Sequence, residues 1–148
     1  MLASASPTSC SRIGVRRRGA TVTDRTFVLD ASAVLALLQE EAGADQVEPI
    51  LDGALMSCVN LSEVLQKAEQ HDVDTEGLEY DLQALGVDFR AFDLPDARAT
   101  AERWVPKTGL SLGDRACLAL ALRADGTAVT TEHGWIATAP DVSVASIR

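Results

Sequence analysis

The 148-residue sequence is short of the features that mark several large protein classes. No apolar run approaches the roughly 20 residues that a membrane-spanning helix needs, so no membrane role is expected. The three cysteines, Cys10, Cys58 and Cys117, are scattered and form no C-x-x-C pair. That argues against a disulfide framework or a zinc site and predicts a protein of the reducing cytoplasm. Neither G-x-G-x-x-G nor a P-loop occurs, which leaves nucleotide-cofactor chemistry without support. His71 and His133 have no partner at the spacing of a metal site or a catalytic triad and are expected at the surface. Arg16-Arg17-Arg18 could open a secretion signal, but no apolar segment follows. There is no internal repeat.

Positive charge is also scarce, and unevenly placed. The formal net charge is −9. Residues 1–25 hold five arginines (Arg12, Arg16, Arg17, Arg18 and Arg25) against one acid, Asp24, so the rest carries 21 acids against 8 basic residues, or −13. That is the wrong sign for binding nucleic acid by phosphate neutralisation alone. A nucleic-acid function would have to recruit cations or use a local basic rim.

What is present is an ordinary globular mixture, 47% hydrophobic and 24% charged, of a length that forms one domain with a real core. Residues 1–25, rich in Ser, Thr and Arg and without hydrophobic period, read as a disordered extension or the product of a misassigned start. Residues 26–148 read as the folded domain. Phe27-Val28-Leu29 is an apolar strand, followed by a helix over Ala31 to Glu41 and a second over Ala44 to Leu51 that Pro49 weakens. Ala54 to Val59 is a second buried strand. Leu61, Val64, Leu65 and Ala68 follow the i, i+3, i+4, i+7 pattern of an amphipathic helix. Thr75 to Leu85 is a helix stopped by Gly86, Val87 to Phe92 a strand, Asp96 to Val105 a helix. Ser111 to Ala124 is apolar nearly all round and should be a buried helix. Thr127 to Thr130 is a strand, Glu132 to Ala137 a short turn or helix, and Val142 to Val144 a last strand. Strands separated by helices imply an α/β fold with a mainly parallel sheet.

Four acids fall at or just beyond strand ends or on the first turn of a buried helix: Asp30, Glu63, Asp114 and Glu132. Each has a local explanation. Asp30 is placed to cap a helix. Glu63 could reach back to Asn60 in a capping box. Asp114 could do the same with Ser111, although Asp114, Cys117, Leu118 and Ala121 share one face, so its carboxylate lines up with an apolar stripe. Glu132 could be an ordinary surface residue. As a set they say more. A parallel sheet brings strand ends to one edge, carboxylates crowded there repel one another, and a hard divalent cation held by oxygen ligands resolves the repulsion. Mg²⁺ or Mn²⁺ would suit, activating water for in-line phosphoryl displacement.

The segments FVLDASAVLALL, SCVNLSEVLQKA, LSLGDRACLALALR and AVTTEHGW resemble the four motif blocks of PIN-domain nucleases, especially VapC-type toxins, over residues 26–147. The resemblance implies an α/β/α sandwich around a parallel sheet and Mg²⁺-dependent hydrolysis of RNA. It also implies a cognate antitoxin as partner and a homodimer. Asp30, Glu63 and Asp114 match the principal acids of that family. Asp30 and Asp114 are expected as direct metal ligands, with Glu63 completing the site or positioning the attacking water. Glu132 replaces the usual fourth aspartate with a longer side chain and is assigned to a second metal or an outer water. Asn60 could hydrogen-bond a carboxylate or the phosphate, Ser32 could bind a metal-linked water, and Arg115 could touch the RNA backbone. Trp104 and Trp135 are expected to pack rather than stack on bases. Two alternatives stay open: a non-catalytic PIN module that binds RNA or a partner, and a phosphatase using Asp30 as nucleophile. The latter wants a second acid two residues on, where Ser32 stands.

Overall fold

The computed structural model describes residues 25–148, so the expected extension lies outside the described residues except for Arg25. Among the described residues, five short strands form one sheet: β1 Phe27–Leu29, β2 Leu55–Ser57, β3 Asp88–Arg90, β4 Thr127–Thr130 and β5 Ser143–Ser146. Their order is β3-β2-β1-β4-β5, and every pairing is parallel. The helices are α1 Ala31–Leu38, α2 Ala44–Val47, α3 Cys58–Gln70, α4 Leu78–Ala84, α5 Leu94–Glu102, α6 Leu112–Arg123 and α7 Trp135–Thr138. This is the α/β/α sandwich that strands alternating with helices predict.

Strand periodicity divides the core into two layers. Leu29, Met56 and Val129 point to one face and pack with Val34, Val47 and Val64 from α1, α2 and α3. Val28, Leu55 and Ala128 point to the other and pack with Cys117, Leu118 and Ala121 from α6 and with Trp135 from α7. Adjacent strand residues face opposite sides, and burial on both sides explains why these strands are runs of apolar residues rather than alternating patterns.

Several boundaries differ from expectation for local reasons. α1 stops at Leu38, and Glu40 takes a positive φ of 53°. The helix expected over Ala44 to Leu51 becomes α2 followed by a 3₁₀ turn, Glu48–Ile50, with Pro49 in its first turn. Gly86, at φ 103°, follows α4 as a left-handed stop. The second strand ends at Ser57, and Cys58 and Val59 already belong to α3. Ser57 caps that helix, its Oγ accepting a hydrogen bond from the Val59 N–H at 3.2 Å.

Candidate active site

The order β3-β2-β1-β4-β5 means that the chain builds outward from β1 in one direction and later resumes on its other side with β4. β1 and β4 therefore flank a topological switch point, and ligands of open α/β sheets bind beyond the carboxyl ends of such strands. Asp30 is the residue beyond the end of β1, and Thr130 ends β4. The Asp30 N–H donates to the Val129 carbonyl at 2.9 Å, which fixes the register of the two strand ends.

Asp30 is the N-cap residue of α1 by position, but its side chain makes no cap hydrogen bond. Instead its Oδ2 accepts from Ser32 Oγ at 2.6 Å and from Thr130 Oγ1 at 3.0 Å. Ser32 Oγ in turn accepts from the Thr131 N–H at 3.0 Å, and Thr130 Oγ1 from the Glu132 N–H at 3.1 Å. The carboxylate is only 3% exposed. Burial pushes its pKa up to about 6, the charges of Asp114 and Glu63 push the same way, and the Ser32 and Thr130 hydrogen bonds act against them. Asp30, Glu63 and Asp114, distant in sequence, thus lie in one another's field.

Glu63 lies in the second turn of α3 and takes no part in capping, because Ser57 holds that position. The expected Asn60–Glu63 capping box is therefore absent, and with it the local explanation of Glu63. Lys67 Nζ stands 2.9 Å from Glu63 Oε2, while Oε1 is buried with no hydrogen-bond partner. Asn60 is fully buried; its Nδ2 donates to the Gly113 carbonyl at 3.0 Å and its Oδ1 is unpartnered. Asn60 thus joins α3 to the first turn of α6. A Cβ on Gly113 would come within 2.6 Å of Glu63 Oε1. Gly113 stands in the first turn of α6, so a side chain there would displace the Glu63 carboxylate.

Asp114 does make its capping box: its N–H donates to Ser111 Oγ at 3.1 Å and its Oδ2 accepts from the Ser111 N–H at 3.0 Å. Arg115 is turned away to the neighbouring helix, where Nη1 donates to the Thr100 carbonyl at 3.1 Å. This hydrogen bond ties α6 to α5. Glu132 is exposed, and it is its backbone N–H that joins the Thr130 network. Trp135 is buried as expected, whereas Trp104 is 62% exposed, contrary to the packing role expected for it. His71 and His133 are at the surface. Thr130, Lys67 and Gly113 also stand at this site, beyond the residues expected there from sequence. Only Lys67 had a legible signal, its i, i+4 spacing from Glu63.

Asp30, Glu63 and Asp114 offer oxygen donors only, a set that suits a hard divalent cation. Glu63 Oε1, buried and unsatisfied, carries a desolvation cost that such a cation or its water shell would remove. Each acid also has a committed and an uncommitted side. The internal hydrogen bonds of Asp30 and Asp114 fall on Oδ2, and the ion pair of Glu63 on Oε2. Among the described residues no three His, Cys, Asp or Glu side chains are gathered into a ready-formed metal group. The donor set fits a divalent ion in chemistry, and the three side chains would have to rotate to converge on it.

A family model described as PIN domain matches residues 27–139. No curated protein matches the sequence. Among solved structures, the chain is similar to a toxin–antitoxin complex from Klebsiella pneumoniae, with 19% identity, TM-score 0.64, and coverage of 82% of this chain and 97% of that one. It is also similar to VapBC2 from Rickettsia felis bound to a promoter DNA fragment, with 13% identity, TM-score 0.59, and coverage of 82% and 98%. DNA-bound VapBC from Salmonella typhimurium matches with 13% identity, TM-score 0.60, and coverage of 84% and 99%. At these identities the likeness is one of fold.

Proposed function

The chain belongs to the PIN-domain family, and from that premise we propose that it is a divalent-metal-dependent endoribonuclease acting as the toxin of a toxin–antitoxin pair. The observation that carries this reading is Asp30. It is a buried carboxylate at the switch point, oriented by Ser32 and Thr130 and crowded by Asp114 and Glu63. Asp30 and Asp114 would hold a Mg²⁺ ion, or Mn²⁺ in its place, with Glu63 completing the site. Bound there, such an ion lowers the pKa of water and offsets the charge that develops on a phosphodiester during displacement. Ser32 and Thr130 act by fixing the carboxylate of Asp30, and Asn60 by tying α3 to the turn that carries Asp114. Glu132 is left with a peripheral role at an outer water.

The similarity to toxin–antitoxin complexes supports an antitoxin partner. Charge does too, since a body of −13 complements a basic protein. Pairing with a second copy of the chain belongs to the same proposal and is checked by sedimentation. The test is a cleavage assay on total RNA with mapped ends, with Mg²⁺ and with chelator. Cleavage should require the metal, and Asp30→Asn and Asp114→Asn should each reduce it to background; parent-like cutting by both variants overturns the reading.

A second reading, a PIN module that binds RNA without cutting it, is favoured by one observation, the exposed glutamate at the fourth acidic position. Metal-independent RNA binding with no new RNA ends, across several substrates, would establish it instead.

A further inference from the structure

We propose that Lys67 is a built-in counter-ion of the acidic site: its ammonium holds Glu63 in the metal-free protein and gives that carboxylate up when a divalent cation enters. The inference rests on the metal-dependent reading above and adds to it the group that regulates metal entry.

Lys67 follows Glu63 by one helical turn on α3, its Nζ 2.9 Å from Glu63 Oε2, and it also lies in the field of Asp30 and Asp114. The other ion pairs among the described residues join Arg90 to Asp88, Arg103 to Asp141, Arg123 to Asp96 and Arg148 to Glu41. Lys67 is thus the one cation among the described residues that is paired with a site acid.

An ordinary surface pair at i, i+4 leaves both carboxylate oxygens in contact with water. This pair does not. Glu63 Oε1 is buried without a partner beside Gly113, while Lys67 holds the opposite oxygen from the solvent side, its own side chain 48% exposed. The carboxylate is therefore satisfied on its outer edge only. A divalent ion attracted to the uncommitted oxygens of Asp30, Glu63 and Asp114 brings a second and larger positive charge to the same carboxylate, and repulsion between the two cations at this range is substantial. The ammonium sits on a flexible four-carbon stem and can turn outward to water, so Lys67 is the cation that leaves.

The experiment compares the full chain with Lys67→Met and Lys67→Arg by calorimetric titration with Mn²⁺. Removing the competing charge should tighten Mn²⁺ binding roughly two- to fivefold, the range set by a half-exposed ion pair, while the charge-conserving arginine stays close to the parent. Magnetic resonance supplies a second readout, since the chain has only two lysines, Lys67 and Lys107. Saturation with diamagnetic Mg²⁺ should move the Lys67 side-chain signal toward that of a freely solvated lysine. Unchanged or weaker Mn²⁺ binding in Lys67→Met, or a Lys67 signal that stays in place at saturating Mg²⁺, overturns the counter-ion role alone. A parent chain that binds neither ion overturns the metal-dependent reading and this inference with it.

Discussion

At the scale of single residues, Asp30 sets stability against chemistry. Its pKa of about 6 in the folded chain lies above the ordinary value of 3.8, so the fold favours the protonated form. The folded state then binds more protons than the unfolded state between about pH 4 and 6, and the contribution of this group falls as pH rises through that window and stays low above it. The difference corresponds to about 3 kcal/mol at neutral pH. Asp30→Asn keeps an acceptor for Ser32 and Thr130 but carries no charge. In chelator, denaturant unfolding should show the variant more stable than the parent by up to about 3 kcal/mol at pH 7, with the gap closing near pH 4. Equal stabilities at both pH values would mean that burial does not penalise this carboxylate. Ser32 and Thr130 show why a site is hard to read residue by residue. Ser32 is two positions from Asp30, whereas Thr130 is distant in sequence and adjacent only because β4 pairs with β1.

At the scale of elements, the two helices that carry Glu63 and Asp114 had opposite fates. Asn60 and Glu63 had the spacing of a capping box, but α3 begins at Cys58 under a Ser57 cap, because the parallel pairing of β2 ends there. Glu63 is thereby freed from the helix terminus and placed opposite the first turn of α6. Asp114 keeps its predicted box with Ser111, so its cap and its candidate role in the site coexist on one carboxylate. Gly113 is where the two helices meet. Gly113→Ala should raise helix propensity by about 1 kcal/mol, yet a new Cβ 2.6 Å from Glu63 Oε1 forces that flexible carboxylate to move. The expected outcome is a thermal stability near or above the parent together with weaker Mn²⁺ binding by calorimetry. Parent-like affinity would show that the position of Glu63 does not matter to the metal.

At the scale of the whole molecule, charge and topology act together. The acidic body disfavours RNA by long-range electrostatics, so under the proposed function affinity would come from the small region where the strand ends converge. A protein that makes six to ten phosphate contacts loses about 10³–10⁵ in affinity between roughly 50 and 200 mM salt. For residues 26–148, which carry only 8 basic side chains against 21 acids, binding of a non-cleavable oligonucleotide at fixed free Mg²⁺ should change by less than about tenfold over that interval. A steep salt dependence would point instead to an unrecognised basic surface.

The sequence by itself determined the class of fold and singled out the three acids that the proposed function uses. Apolar runs of strand length alternating with helical periods leave few arrangements other than a parallel sheet with helices on both faces, and acids recurring at the ends of such runs are brought to one edge by any such sheet. The motif blocks gave the family, which the match over residues 27–139 bears out. Beyond the local pairs of Asp114 with Ser111 and Glu63 with Lys67, tertiary structure decided what surrounds each acid. Hydrogen bonds between side chains distant in the chain depend on strand order and helix register, which periodicity does not encode. So the Thr130 contact to Asp30, the unpartnered Glu63 oxygen beside Gly113, and the turn of Arg115 toward α5 emerged only with the packed chain. The sparse basic charge noted in the sequence acquired its meaning at the same point, when one of its two lysines stood against the site.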